Sequence, residues 1–210
     1  MPNMIVVKYS KTGGAQFISH LDTLKHIQKT IIRAKAPVEY SKGFNPHMLV
    51  YLSAPMGVGI ASKAEYFYLE TPMSAQEFLP LFNANCPRGF KASLAIDVSK
   101  NPNLQALIDS AEYYLEGDYA DDIPQKITAL GEFVVKDKKG EDRDLRARIL
   151  DVKKCDNGLI ARLSFGNETL RADVFAEKLK QLFCVECEYI LKTDCYIKGI
   201  KAEEYILRNF

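Results

Sequence analysis

Hydrophobic positions recur along this chain with a period of two in some stretches and at spacings of three and four in others. Residues 4–10 carry Ile5, Val6, Val7 and Tyr9, a β-branched, apolar run that predicts a strand. Gly13-Gly14 breaks it. Ser19 stands three residues before Asp22, a capping-box-like helix start. Leu21, Leu24, Ile27, Ile31 and Ala34 then share one helical face, Lys25, Lys29 and Arg33 share another, and Pro37 ends the helix. Residues 38–41 read as a short extended piece, 42–47 as a loop punctuated by Gly43 and Pro46, and 48–53 as apolar and extended. A turn over 55–59 leads to a strand over 64–70. Ser74 caps a helix through Phe78, Leu81 and Phe82 that stops near Cys86-Pro87, and residues 90–98 form a further strand.

Strand, helix, strand, strand, helix, strand is the split-βαβ pattern, with two helices on one face of a four-stranded antiparallel sheet. Asn101-Pro102-Asn103 reads as a joint, and beyond it the order recurs. Residues 111–117 predict a strand, 122–130 a helix with Pro124 in its first turn, and 132–136 the end of that helix or the start of a strand. Residues 145–153 and 159–165 form a hairpin around Asn157-Gly158. A helix over 172–183, with Val174, Phe175, Leu179 and Leu182 on one face, a strand over 187–197 and a terminal helix over 202–210 complete the chain. The expectation is an α+β protein of two tandem ferredoxin-like (βαββαβ) halves, residues 1–100 and 101–210. Each half would be an antiparallel sheet covered by helices on one face. The repeat is one of element order, without clear residue identity.

Composition narrows the class. The 210 residues are 47% hydrophobic and 26% charged, ordinary for a globular chain. No apolar run approaches the ~20 residues of a membrane helix. Met1-Pro2-Asn3-Met4-Ile5 enters a strand without the marks of a signal peptide, so the expected compartment is the cytoplasm. Five cysteines, an odd number with four in the last third, do not suggest a secreted disulfide framework. The net charge of +1 hides an asymmetry, because residues 1–50 hold seven Lys/Arg against two acids. A local basic surface steers anions even on a near-neutral molecule. The plainer reading is a solvated helix face.

All three histidines, His20, His26 and His47, fall in the first 47 residues. An anion-recognition reading joins the helix start at Ser19, with its free N–H groups and dipole, to Lys25, Lys29, Arg33, Lys42 and His47. Tyr40 and Phe44 then offer rings for base stacking; the alternative for Phe44 is a core plug. An acid–base reading sets His20 and His47 on one RNA phosphate without a metal. A metal reading of His20 and Asp22 with His26 or His47 is disfavoured, because side chains two apart on a helix diverge. Cys184-Val185-Glu186-Cys187 has no second pair for zinc, so core thiols are expected. Lys11-Thr12-Gly13-Gly14 lacks the full phosphate-loop pattern. No C-x-x-x-C-x-x-C is present to hold a radical SAM cluster. Asp144-Leu145-Arg146 reads as a partner contact or, more simply, as an ion pair or solvated charges at a strand end. No cofactor and no metal are expected.

Phe17-Ile18-Ser19-His20-Leu21-Asp22, Arg33-Ala34, Pro37, Tyr40-Ser41-Lys42-Gly43-Phe44-Asn45-Pro46-His47, Gly57, Ser62 and Glu65 resemble the family of uncharacterised radical SAM-linked proteins. Its members stand beside, or form a C-terminal part of, proteins with cobalamin-binding radical SAM architecture. The resemblance runs from about residue 4 to beyond 180 and is dense over 17–65. Asp144-Leu145-Arg146 resembles a further short element of the family. Lys25 and Lys29 stand where Arg is expected, which keeps charge but loses the bidentate fork. Ile32 replaces a frequent Arg, and Tyr68 a frequent acid. The resemblance implies a radical SAM partner and assigns no catalytic residue. Tandem ferredoxin-like halves are also similar to CRISPR repeat-processing endoribonucleases, by fold alone. The leading expectation is a non-catalytic RNA-binding accessory module for tRNA or rRNA, touching it through Ser19, His20, Lys25, Lys29, Arg33, Ser41, Lys42, Phe44 and His47. The alternatives are a metal-independent endoribonuclease using His20 and His47, and a purely protein-docking subunit of a radical SAM complex.

Overall fold

The structure, a computed structural model, describes residues 3–137 and 139–210. Met1 and Pro2, on which the reading of the N-terminus partly falls, and Lys138 lie outside the described residues. The apolar runs of the first half form β1 (Asn3–Lys11), β2 (Val50–Leu52), β3 (Ala61–Thr71) and β4 (Phe90–Val98), with α1 (His20–Arg33) and α2 (Ala75–Asn85) between them. The strands stand in the order β4-β1-β3-β2, each pair antiparallel. Strand alternation sends Ile5, Val7, Phe67 and Leu69 toward the helices, where they meet Ile27, Ile31, Phe78 and Phe82. The buried face of α1 is Thr23, Ile27, Thr30 and Ile31; Leu21, expected there, is 69% exposed. The Thr23 and Thr30 hydroxyls donate to the carbonyls of Ser19 and His26, so both threonines bury without an unpaired hydroxyl.

The second half comprises α3 (Leu104–Leu107), β5 (Ser110–Glu116), α4 (Ile123–Ala129), β6 (Val134–Lys136), β7 (Asp142–Asp144), β8 (Ile149–Cys155), β9 (Gly158–Ser164), α5 (Ala172–Phe183), β10 (Tyr189–Ile197), β11 (Ile200–Lys201) and α6 (Ala202–Asn209). Its main strands stand as β10-β5-β9-β8, again antiparallel. Gly158 closes the β8–β9 hairpin where a Cβ would lie 2.0 Å from the Leu115 carbonyl oxygen, so only glycine fits. β6 and β7 make a two-stranded ribbon apart from the main sheet; of the two alternatives for residues 132–136 the structure takes the strand, while β7, all charged, carries no apolar signal. Asp144-Leu145-Arg146 is an internal clip there. Asp144 Oδ1 accepts from the Phe133 and Arg146 N–H groups, and the Arg146 guanidinium donates to the carbonyls of Thr128, Leu130 and Ile149. The ion pair or solvated charges expected at this position give way to backbone hydrogen bonds, because the end of α4 leaves carbonyls without intrahelical donors.

The two halves share one nine-stranded sheet. β10 runs parallel to β3 at Ala61–Leu191 and Ser62–Lys192, beside the same edge that β2 occupies further along. On the face of the first half away from α1 and α2, Met4, Val6, Tyr66, Tyr68, Ile96 and Val98 join a core with Leu104, Ala202 and Ile206. Coverage on one face only is therefore corrected for the first half. Its reverse face is too apolar to stay open, and the C-terminal segment is tied over it. Glu203 accepts from Lys8 Nζ at 2.7 Å, and the Phe210 carbonyl accepts from the Ser99 N–H at 3.0 Å.

Where the halves join, Lys192 Nζ meets Glu65 Oε1 with both side chains buried. Glu65→Gln leaves the ammonium buried without its counter-charge. It is expected to lower stability by about 3–5 kcal/mol in urea unfolding near neutral pH; an unchanged midpoint would show that the pair is dispensable. Arg146→Ala, which frees two carbonyls at the end of α4 and that of Ile149 at the start of β8, is expected to lose about 1.5–3 kcal/mol and to speed amide exchange in the β6–β7 ribbon. Protection equal to wild type would refute the clip.

Candidate functional site

α1 begins where β1 ends. Lys11, paired with Ser62 across β1 and β3, turns its side chain inward and donates from Nζ to the Ile18 carbonyl at 2.6 Å. That bond ties the segment before α1 down onto the sheet. Ser19 caps the helix: its Oγ accepts from the Asp22 N–H at 3.1 Å and donates to Asp22 Oδ2 at 2.8 Å. Lys25 Nζ reaches Asp22 Oδ1 at 3.1 Å. The Ser19 hydrogen bond and Lys25 hold the Asp22 carboxyl below its ordinary range. His20 is half-buried in this turn. Burial pushes its pKa down, Glu65 partly offsets the shift and Lys11 adds to it. The Gly59 N–H donates to the Gln16 carbonyl at 2.9 Å, which brings the 55–60 turn against the segment before α1. Phe17, Leu21 and Val58 are left exposed there.

The Gly-Phe-Asn-Pro segment springs from the other end of β3, where Glu39 N–H donates to the Glu70 carbonyl and Glu70 N–H to that of Leu49. Ser41 closes the loop on His47. Its N–H donates to the His47 carbonyl at 2.8 Å, its Oγ bonds His47 Nδ1 at 2.8 Å, and it accepts from the His47 N–H at 3.0 Å. Phe44 stands at the tip, fully exposed, with Lys42 and His47 exposed beside it and Tyr40 49% exposed at the base. The reading of Phe44 as a core plug is excluded.

The expected site residues therefore fall into separate groups. Ser19, His20 and Lys25 belong to the helix start, and Ser41, Lys42, Phe44 and His47 to the loop. The segment before the helix is tied down beside Ser62 and the loop springs from beside Glu70, at the two ends of a stretch of β3 about 25 Å long. No contact joins His20 to His47 among the described residues, the geometry the endoribonuclease alternative needs. Arg33 leaves the basic stripe: its guanidinium donates to the Asn85 carbonyl at 2.8 and 3.2 Å and to Thr30 Oγ1 at 3.0 Å, clasping α1 to the end of α2. Lys25 is engaged by Asp22, while Lys29 is exposed. His26 stacks on Phe90, ring centroids 5.8 Å apart. Cys195 is a core thiol whose Sγ lies 3.3 Å from the Ala64 carbonyl oxygen. Cys184 is instead exposed, as the left-handed cap of α5. Among the described residues no group of three His, Cys, Asp or Glu is placed to hold a metal.

Lys192 escaped the sequence reading, Lys11 entered it only in a discounted phosphate-loop fragment, and Glu65 only through the resemblance. The one available signal for Lys192 was a lysine interrupting the apolar run Tyr189-Ile190-Leu191. The low pKa of His20 has a consequence for stability. Below the ordinary histidine value of 6.5 the unfolded chain takes up a proton that the folded chain refuses. Stability therefore falls as pH drops from that value to the lower folded one. His20→Gln is expected to flatten this part of the stability–pH curve measured by urea unfolding. A curve parallel to wild type would contradict it.

A family model described as an uncharacterized protein conserved in bacteria (DUF2344) matches residues 4–180. A comparison with curated proteins finds no match. Among solved structures, a chain from the crystal structure of a Cbf5-Nop10-Gar1 complex is similar over 95% of this chain, at 13% identity and a TM-score of 0.47. This chain spans about half that chain's length, covering 50% of it. An unknown protein from Galdieria sulphuraria is similar at 14% identity and a TM-score of 0.28, over 91% of this chain and 99% of its own. The encapsulated DyP-type peroxidase from Mycobacterium smegmatis follows at 8% identity and 0.23, over 90% and 91%. Likeness at these scores bears on no activity. Also, no helix among the described residues is long and apolar enough to cross a membrane. With more than four-fifths of its length inside the family model, the chain belongs to the bacterial family described as an uncharacterized conserved protein (DUF2344).

Proposed function

We propose that this chain is a non-catalytic accessory module that binds RNA, of the tRNA or rRNA class, in the cytoplasm and presents it to a radical SAM partner. We read its body as two tandem ferredoxin-like halves, residues 1–100 and 101–210, fused edge to edge. The matching orders β4-β1-β3-β2 and β10-β5-β9-β8 support that reading. The observation that carries the function is Phe44. A fully exposed phenylalanine on a loop closed by Ser41 and His47 has no packing role in the chain. With Lys42, His47 and Tyr40 around it, the loop combines a stacking ring with donors for a phosphate, the combination that suits unpaired bases. The separation of His20 from His47 favours binding over acid–base chemistry. The exposed patch of Phe17, Leu21 and Val58 favours, as a second reading, docking of a protein partner at the other end of β3.

Filter binding with purified tRNA and rRNA at low salt tests the RNA reading. Retention that falls steeply with added salt is expected, because phosphate contacts release counterions. Phe44→Ala should weaken it by about 1–3 kcal/mol, roughly five- to a hundredfold, and Lys42→Glu should reduce the salt slope. No retention, or retention indifferent to both changes, would refute an RNA role for the loop. Pull-down of the neighbouring radical SAM protein after nuclease treatment, lost in a Leu21→Asp variant, would instead support the docking reading.

A further inference from the structure

The exposed patch of Phe17, Leu21 and Val58 is assembled around His20. Phe17 and Leu21 flank the histidine in sequence, and Val58 is brought to them by the Gly59 N–H on the Gln16 carbonyl. The surroundings of the half-buried ring disfavour a proton. Burial strips an imidazolium of water, and the first turn of the 14-residue α1 is the positive end of its dipole. From β1 comes the Lys11 ammonium, fixed on the Ile18 carbonyl two residues before His20. From β3 comes Glu65, whose carboxylate is already paired with Lys192 of β10. Asp22, on the same turn, is engaged by Ser19 and Lys25. The downward direction of the His20 shift agrees: burial is its main cause, Glu65 offsets part of it and Lys11 adds to it. Few bonds hold the turn closed. Ser19 Oγ accepts from the Asp22 N–H, the Ser19 carbonyl accepts from the Thr23 N–H at 2.8 Å, and Lys11 holds the Ile18 carbonyl. Such a helix end opens locally at far lower cost than the whole fold.

From this arrangement we infer that the patch is an acid-sensitive surface: it is assembled around an uncharged His20, and a proton on the ring opens the first turn of α1 and disperses Phe17 and Leu21. The consequence, release of a protein partner in acid, rests on the docking reading; the switch itself belongs to the chain alone. Linkage gives its sign. In the open turn the imidazole stands in water and takes a proton at its ordinary value of 6.5; in the closed turn it does so only at lower pH. As pH falls below that value the open turn is favoured, until the closed form also accepts the proton. A single proton is linked, so the opening constant grows by at most about tenfold per pH unit. Above that range the ring is neutral in both forms and the patch is indifferent to pH. Glu65 limits the effect without reversing it, because Lys192 shares its charge. The switch is separate from the Ser41–His47 loop and independent of the RNA reading.

Amide exchange followed by NMR on the intact protein, from about pH 7.5 to about pH 5.5, tests the switch. The protection of the Thr23 amide, corrected for its intrinsic exchange rate, is expected to fall about three- to tenfold over that range, while that of Ile31 in the same helix stays constant. The His20 ring signals should titrate below the ordinary histidine value, and the Leu21 methyl signals should move along the same curve. In His20→Gln both dependences should vanish while the other amides of α1 keep their protection. Thr23 protection indifferent to pH, a Leu21 titration that survives in His20→Gln, or a His20 that titrates at its ordinary value would overturn the proposal. Pull-down of the radical SAM protein at the two ends of the pH range separates switch from docking. Capture near neutral pH that is lost in acid is expected. Capture at neither pH, beside a pH-dependent Thr23, sinks the docking reading and leaves the switch standing; equal capture at both, beside the same exchange result, sinks the proposed release.

Discussion

The contact between Lys192 and Glu65 organises the molecule, because it lies where β10 meets β3. The parallel pairing there covers only Ala61–Leu191 and Ser62–Lys192, so few backbone bonds hold the two halves together. Side chains secure the join on both faces of the sheet. Glu65 and Lys192 neutralise each other on the face that α1 covers. On the reverse face Lys8 stands between Asp194 at 3.5 Å and Glu203 at 2.7 Å, and Lys201 reaches Asp194 at 2.9 Å. Burial makes such charges intolerant of a missing partner, so the halves are registered against each other by ions as well as by apolar packing.

That registration shapes the candidate surfaces. With β10 occupying the start of the β3 edge, β2 is confined to its far part, beside Phe67–Leu69. The chain before β2 therefore emerges at the Glu70 end, and the Ser41–His47 loop projects from there. The helix start, with Ser19, His20 and the apolar residues Phe17 and Leu21, stays at the opposite end, over Lys11. One dense stretch of sequence thus supplies two distinct surfaces. A large ligand such as a folded RNA, or two different partners, can engage both; a small ligand cannot.

The second half uses its charges for a different purpose. Asp144 and Arg146 are spent on backbone groups at the end of α4 and the start of β6, where a helix terminus and an irregular segment leave donors and acceptors unpaired. The clip holds the ribbon where Phe133 packs on Phe175 of α5. A conspicuous acid–Arg motif therefore acts within the fold.

Periodicity in the sequence determined the strands and helices of the first half, the Ser19 and Ser74 caps and the Asn157-Gly158 turn, because each is fixed by neighbours within a few residues. The resemblance, not periodicity, marked residues 17–65 as the stretch dense in candidate residues. Periodicity misassigned Leu21 to the buried face of α1, since a threonine hydroxyl satisfied by its own helix reads as polar in sequence. It left residues 132–136 open between helix and strand, and it passed over β7, whose three residues are all charged. Only the tertiary structure decided that the two halves share a sheet, that the C-terminal helix covers the reverse face of the first half, and that His20 and His47 lie apart. Those outcomes follow from pairing between residues more than a hundred positions distant, such as Glu65 with Lys192 and Lys8 with Glu203, and local pattern carries no record of such partners.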